Sequence, residues 1–236
     1  YPIQVSERGI CWFELKAHGD PGHGSMPHPH NAVVRLARAI SALGSARMPQ
    51  HNTTVVESFI KKLAAHIPYP ENKILPLLLS PRLSGPVLDL LQKQNMEQAI
   101  ALNALLRNTV SPTMLSAGSA QMDGRILPGQ SRDDFLREVQ QIVGDDLKVT
   151  VLEHHDGTVF SADTPLFDTI CRTLEKHDPA CVPVPYMIPG FTDSFAYGKL
   201  GAICYGFSPV QLPEDLNFAR MYHGHNERIP KDGFLW

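Results

Sequence analysis

Three histidines fall in one short stretch, "PGHGSMPHPHN" at 21–31. Two kinds of chemistry are open to His23, His28 and His30. Neutral imidazole is the commonest protein ligand for zinc, so the cluster could hold a metal ion. Alternatively one of them, His23, could approach a substrate, because Gly22 and Gly24 let the backbone come close. A metal site built here needs three imidazoles to converge with a fourth ligand, and Pro27 and Pro29 stiffen the loop against that. The plain alternative is a turn between a strand and a helix with exposed imidazoles.

Two further stretches carry reactive side chains. In "AQMDGRILPGQ" (120–130) Arg125 offers a planar fork that suits a carboxylate substrate. Its competing role is a surface ion pair with Asp123 or Asp133, which contributes little. In "MYHGHNERIP" (221–230) His223 and His225 are two apart. They share a face if the segment is a strand, and either could be a metal ligand in a loop. Glu227 could orient one of them through a hydrogen bond. The competing reading is a solvated loop.

The elements that position these residues are legible in outline. "GICWFELKAHG" (9–19) alternates Cys11, Phe13 and Leu15 against Ile10, Trp12 and Glu14, a strand with one buried face. After the histidine loop, Val33, Val34, Ala37, Ile40, Ala42 and Leu43 recur at helical spacing, with Asn31 as N-cap and Gly44 as stop. Residues 54–107 read as mostly helical, with Pro68 and Pro70 ending the first helix. Strands at 109–115 and 120–127, a helix capped by Ser131 and a strand at 148–157 follow. The order β, α, extra helices, β, β, α, β is the ferredoxin-like split βαβ pattern with a helical insert. From Ser161 onward a helix, the short strand "VPVPYM", a helix start at "TDSFAYGKLG" and a buried strand "AICYGF" suggest part of an α/β layer.

Composition narrows the partners. At 43% hydrophobic the chain can bury a core, and its net charge of −3, with no Lys/Arg-rich run, argues against nucleic acid. The most apolar run, "ILPLLLS" (74–80), is far too short to span a bilayer, so no membrane partner is expected. Cys11, Cys171, Cys181 and Cys204 are scattered without a CxxC and read as reduced thiols of a cytoplasmic protein. The chain enters strand-like sequence almost at once, without an initiator Met, as a fragment or processed form would.

Taken in order, "ERGICWFELKAHGDPGHGSMPHPHNAVVRLARAI", "NTVSPTML", "DGRILPGQ", "IPGFTDSFAYGKLGAICYGFSP" and "HGHNERIP" resemble the zinc-dependent amidohydrolase and exopeptidase family of aminoacylase, acetylornithine deacetylase, succinyl-diaminopimelate desuccinylase and glutamate carboxypeptidases. The resemblance implies an α+β fold. Residues 1–8 would end a preceding catalytic segment, 9–157 would form a ferredoxin-like βαββαβ lid and dimerisation domain, and 158–236 would return to a partial α/β zinc-peptidase catalytic domain. It implies that His23 matches the lid histidine of a G-H-x-S motif, reaching into the partner's active site to polarise the scissile carbonyl. A fixed donor of that kind typically lowers a barrier by about 3 kcal/mol. Arg125 matches the arginine of D-x-R that holds the substrate carboxylate. Thr192 and Asp193 match a G-x-T-D loop lining the substrate site, and His223 matches a zinc ligand in H-x-x-N-E. Two zinc ions are implied for the complete protein, with cobalt or manganese possible. The implied partners are a small peptide or N-acyl-amino-acid substrate and a second copy joined through the lid.

This chain departs from the family in three places. The leading half, with H-x-D, a bridging Asp and a Glu-Glu pair, is not in these 236 residues. The metal site is therefore incomplete, and the chain alone is expected to be inactive. The N-V-I-P strand ahead of D-x-R is skipped in "SPTMLSAGSAQMDGR", which removes an Asn expected to assist Arg125 and weakens the expectation of an intact lid sheet. Phe191 and Phe195 replace the family's usual Gly and Arg, suggesting an apolar pocket wall. The rival reading is a non-catalytic dimerisation or interaction module.

Overall fold

Four antiparallel pairings and one parallel pairing sort the strands of the described residues into two sheets. The computed structural model describes residues 1–20, 30–213, 216 and 226–235. Strands β2 (Gly9–Ala17), β3 (Thr109–Ser116), β4 (Ser119–Ile126) and β5 (Leu147–His155) form an antiparallel sheet in the order β3-β4-β2-β5. Helices α1 (Ala32–Ser45) and α6 (Arg132–Val143) pack on each other and on its inner face. This is the expected α+β, split βαβ arrangement. Cys11, Phe13 and Leu15 point inward with Ala120, Met122 and Ile126, and Phe13 meets Phe135 edge-on at 6.1 Å. Each of the larger side chains adds about 1.5–3 kcal/mol by leaving water.

The sheet is complete without the N-V-I-P segment. β3 and β4 close directly on each other in a hairpin whose turn needs Gly118 at φ +83°. The expectation of a weakened lid sheet is corrected accordingly. The inward stripe of α1 also differs from the sequence reading. Leu36, Ala39 and Leu43 are buried, whereas Val33 and Val34 are 53% and 44% exposed. The spacing i, i+3, i+7 from Leu36 is the better helical stripe, and adjacent valines cannot both lie on it. The Asn31 cap is present, with its side chain accepting from Val34 N.

The insert is four helices and a 3-10 turn: α2 (Thr54–His66), α3 (Glu71–Ile74), the turn Leu75–Leu79, α4 (Ser84–Gln94) and α5 (Met96–Leu106). Its core of Val56, Ile60, Leu78, Val87, Leu88, Leu105 and Leu106 includes Met187 of β7 (Val184–Ile188). The insert therefore leans on the other sheet, which has the order β6-β1-β7, with β1 at Pro2–Glu7 and β6 at Thr158–Val159. β1 runs parallel to β7 and antiparallel to β6, and α7 (Pro165–His177) covers it through Phe167 and Leu174. Two short helices, α8 (Ser194–Lys199) and α9 (Lys231–Leu235), follow.

"AICYGF" does not form the expected strand. It makes one bridge, Gly206 to Gln4, and Ile203 is 50% exposed. The rest of that edge of β1 is taken by residues 158–160, whose Phe160 N donates to Val5 O at 2.8 Å. The chain crosses between the sheets at 7–9 and again at 155–158, and the two passes touch. A Cβ on Gly9 would lie 2.4 Å from His155 O, and one on Gly157 would lie 2.7 Å from Glu7 O. Among the described residues no helix is long and apolar enough to cross a membrane, and all four cysteines are free thiols.

Candidate substrate site

Residues directly opposite across strands point to the same face, which builds a small grid on the outer side of the four-stranded sheet. One row is Asp123–Trp12–Glu153, and the next is Arg125–Ile10–His155. Asp123 and Arg125 are two apart on β4, so they share this face. Asp123 grips the Nε and Nη2 edge of Arg125 with two bonds of 2.9 Å. Trp12 Nε1 donates to the same carboxylate at 3.1 Å. The ion pair weighed against a substrate role is thus present. It is half-buried, however, and it leaves the Nη1 edge of the fork without a hydrogen bond among the described residues. Gly124 between them is dictated by packing: a Cβ there would lie 2.6 Å from Cys11 O and 2.6 Å from Phe135 Cζ.

Two strand spacings, roughly 10 Å, separate Arg125 from His155. His155 carries the grid to the loop after β7. Its ring lies 5.8 Å from Phe191 and 4.5 Å from Phe195, and those two phenyls stack at 4.7 Å. Lys199 Nζ sits 5.3 Å above Phe195. Phe191 and Phe195 therefore spend much of their surface on joining the two sheets. Between them in sequence lie Thr192, half-buried, and Asp193, exposed.

Glu7, which the sequence reading passed over, fixes that loop. It is fully buried at the end of β1. Its Oε2 accepts from the Thr192 amide at 2.9 Å and from the Thr192 hydroxyl, while Oε1 is buried with no hydrogen-bond partner among the described residues. The next residue faces the other way. Arg8, 2% exposed, donates through Nη2 to Arg125 O at 2.7 Å, Thr109 Oγ1 at 2.8 Å and Arg107 O at 3.3 Å. It has no ion pair among the described residues. Burial, and then the charge of Arg125, lower its pKa to about 9, which still leaves it a cation at neutral pH. The signal that could have found both is the pair Glu7–Arg8 inside the run "IQVSERGICWF", since charges in a buried strand demand partners.

His23, His28 and His223 lie outside the described residues, and His30 is exposed at a turn. Among the described residues no group of three His, Cys, Asp or Glu side chains could hold a metal ion. Residues 5–151 match the family model for the peptidase dimerisation domain. The chain is 29% identical over 244 residues to an N-fatty-acyl-amino acid synthase/hydrolase, PM20D1, of Bos taurus, covering 96% of this chain and 46% of that protein. It is 26% identical to a probable carboxypeptidase S-like 2 of Dictyostelium discoideum, over 96% of this chain and 44% of that one. Among solved structures, the M20 family metallo-carboxypeptidase Sso-CP2 of Sulfolobus solfataricus shares the fold at TM-score 0.50 and 16% identity, over 85% of this chain and 57% of that chain. The chain spans about half the length of the curated relatives it matches. A split βαβ sheet carrying D-G-R on its outer face, matched over more than half its length, makes this chain a member of the M20 peptidase dimerisation domain family.

Proposed function

We propose that this chain is the lid and C-terminal catalytic segment of a zinc-dependent hydrolase that cleaves an amide bond next to a free carboxylate, with N-acyl amino acids as the favoured substrates. The observation that carries the reading is the Asp123–Arg125 clamp. The carboxylate of Asp123 fixes one edge of the guanidinium and leaves Nη1 without a hydrogen bond among the described residues, on the sheet face that also carries His155. An Arg edge held in this way binds a carboxylate with charge-assisted bonds that an untethered surface Arg would lose to chain entropy. The names of the relatives support the choice of an acylated amino acid over a longer peptide.

Arg125 binds and orients the substrate carboxylate, and Thr192 and Asp193 line the neighbouring wall. His23, which follows β2 in the sequence, would donate to the developing oxyanion in the active site of a second copy joined through the lid. When bound, zinc supplies an activated hydroxide. Of its ligands this chain would contribute His223. The test uses the complete protein and compares an N-acyl amino acid with its methyl ester. Arg125→Gln is expected to lower kcat/KM for the free acid about 100-fold, the equivalent of losing one charge-assisted bidentate contact, and to leave the ester nearly unchanged. Equal losses for acid and ester would overturn the reading.

A further inference from the structure

Asp123 does more than orient Arg125, because it also cancels its charge. A guanidinium that shares two bonds of 2.9 Å with a carboxylate is close to neutral when seen from a distance. Such a pair offers donors to an incoming carboxylate but little attraction. Glu153, at the far end of the same row, brings a second negative charge to this face and is bonded to His155 at 3.1 Å.

The missing positive charge lies beneath. Arg8 is 2% exposed, and its Nη2 donates to Arg125 O at 2.7 Å, Thr109 Oγ1 at 2.8 Å and Arg107 O at 3.3 Å. All three acceptors are uncharged. Its Nε is buried with no hydrogen-bond partner among the described residues. Glu7, the neighbouring acid, is directed to the Thr192 loop instead. After burial, which is the largest influence on the Arg8 pKa, the charges that act on it are Arg125, which lowers it, and Asp123, which raises it. The three side chains thus form one electrostatic group, two cations against one anion. Three neutral acceptors do not call for a cation, since a buried amide could donate to them without the penalty of an unpaired ion. The charge itself is what needs a role.

We propose that Arg8 supplies the uncompensated positive charge through which the Asp123–Arg125 clamp selects a carboxylate over a neutral group. The inference rests on the reading above that Arg125 receives the substrate carboxylate, and it adds a residue to that site. Arg8 touches no substrate. It is a positioning residue that holds Arg125 by its carbonyl and acts on the bound anion through space, from a buried position where salt screens poorly. At an effective dielectric constant of about 20, a unit charge about 10 Å from another changes its binding on the order of tenfold.

The test assays the complete protein with an N-acyl amino acid and its methyl ester and reads the ratio of the two kcat/KM values. Lost packing at residue 8 lowers both and leaves the ratio, whereas lost charge lowers the ratio. Arg8→Gln keeps a donor and removes the charge, and it is expected to lower the acid-to-ester ratio about tenfold, chiefly through KM of the acid. Arg8→Lys keeps the charge and loses the fork, and it is expected to hold the ratio within about twofold even where both rates fall. Thr109→Asp covers a failure of Arg8→Gln to fold, since it leaves Arg8 in place and sets an anion where Nη2 now meets a half-buried hydroxyl. It is expected to lower the ratio about fivefold or more, while Thr109→Asn, of the same shape without the charge, leaves it unchanged. A wild-type ratio in Arg8→Gln, an equal fall of the ratio in Arg8→Gln and Arg8→Lys, or the same ratio in Thr109→Asp and Thr109→Asn overturns the proposal. Arg125→Gln run alongside separates the two readings. Where it lowers acid and ester alike, the clamp itself is refuted and the role of Arg8 falls with it. Where it discriminates acid from ester and Arg8→Gln does not, only the role of Arg8 is lost.

Discussion

Glu7→Gln is the sharpest probe of how the Thr192 loop is held. In the native chain both the amide and the hydroxyl of Thr192 donate to one ionised oxygen of a fully buried side chain. Hydrogen bonds to a charged acceptor contribute about 1.5–3 kcal/mol and neutral ones about 0.5–1.5. Exchanging two of the first kind for two of the second costs about 2 kcal/mol. For a chain of this size that corresponds to a fall in Tm of about 4–8 °C. Urea unfolding read by tryptophan fluorescence measures the free energy directly. Because a buried, half-satisfied carboxylate is itself costly, the single variant is paired with Thr192→Val in a double-mutant cycle. The hydroxyl bond is common to both changes, so the two should couple by about 1 kcal/mol, outside the usual additivity error of about 0.3–0.5. Strict additivity, or a Glu7→Gln protein as stable as the parent, would refute the claim that this carboxylate sets the loop.

Gly124→Ala should cost about 2–3 kcal/mol in the same urea assay, since the new methyl meets the rigid carbonyl of Cys11 as well as the Phe135 ring. Ser131→Ala removes one half of a reciprocal capping box at α6 and is expected to cost about 1 kcal/mol, read as a small drop in Tm. Burial pushes the Cys11 thiol up to about 11, so at pH 8 it stays protonated as well as inaccessible. Iodoacetamide at that pH should leave Cys11 unmodified in the native chain while labelling the half-buried Cys204, and mass spectrometry of the peptides checks this.

The lid sheet was legible because its strands alternate cleanly and its second helix carries a recognisable cap. Phe13 and Leu15, and Ser131 with Asp134, announce themselves locally. The motif D-G-R was legible as a carboxylate fork, and the spacing of Asp123 and Arg125 puts both on one face of a strand, but which face turns outward depends on register, since a slip of one residue exchanges the faces. The stripe of α1 was misread at Val33 and Val34, which are apolar yet half exposed, as many surface aliphatics are. "AICYGF" has strand composition but no free edge to join, and composition carries no information about edges. What sequence could not show at all is long-range polar pairing. Glu7 meets a residue 185 positions away. Glu138 accepts from Asn108 at 2.9 Å and contacts His51 at 2.5 Å, binding the ends of the insert to α6. No periodicity encodes such contacts.

The two touching passes of chain at Gly9 and Gly157 act as a spacer gauge. Their separation is set by the absence of two methyl groups, so any side chain at either position must force the passes apart by the better part of an ångström. Glu7 and Arg8 sit at the very edge of that gauge and look in opposite directions, one toward the Thr192 loop and the other toward the backbone of Arg125. A single carbon added at residue 157 would therefore displace the Thr192 loop and the strand of Arg125 together, from a position that touches neither.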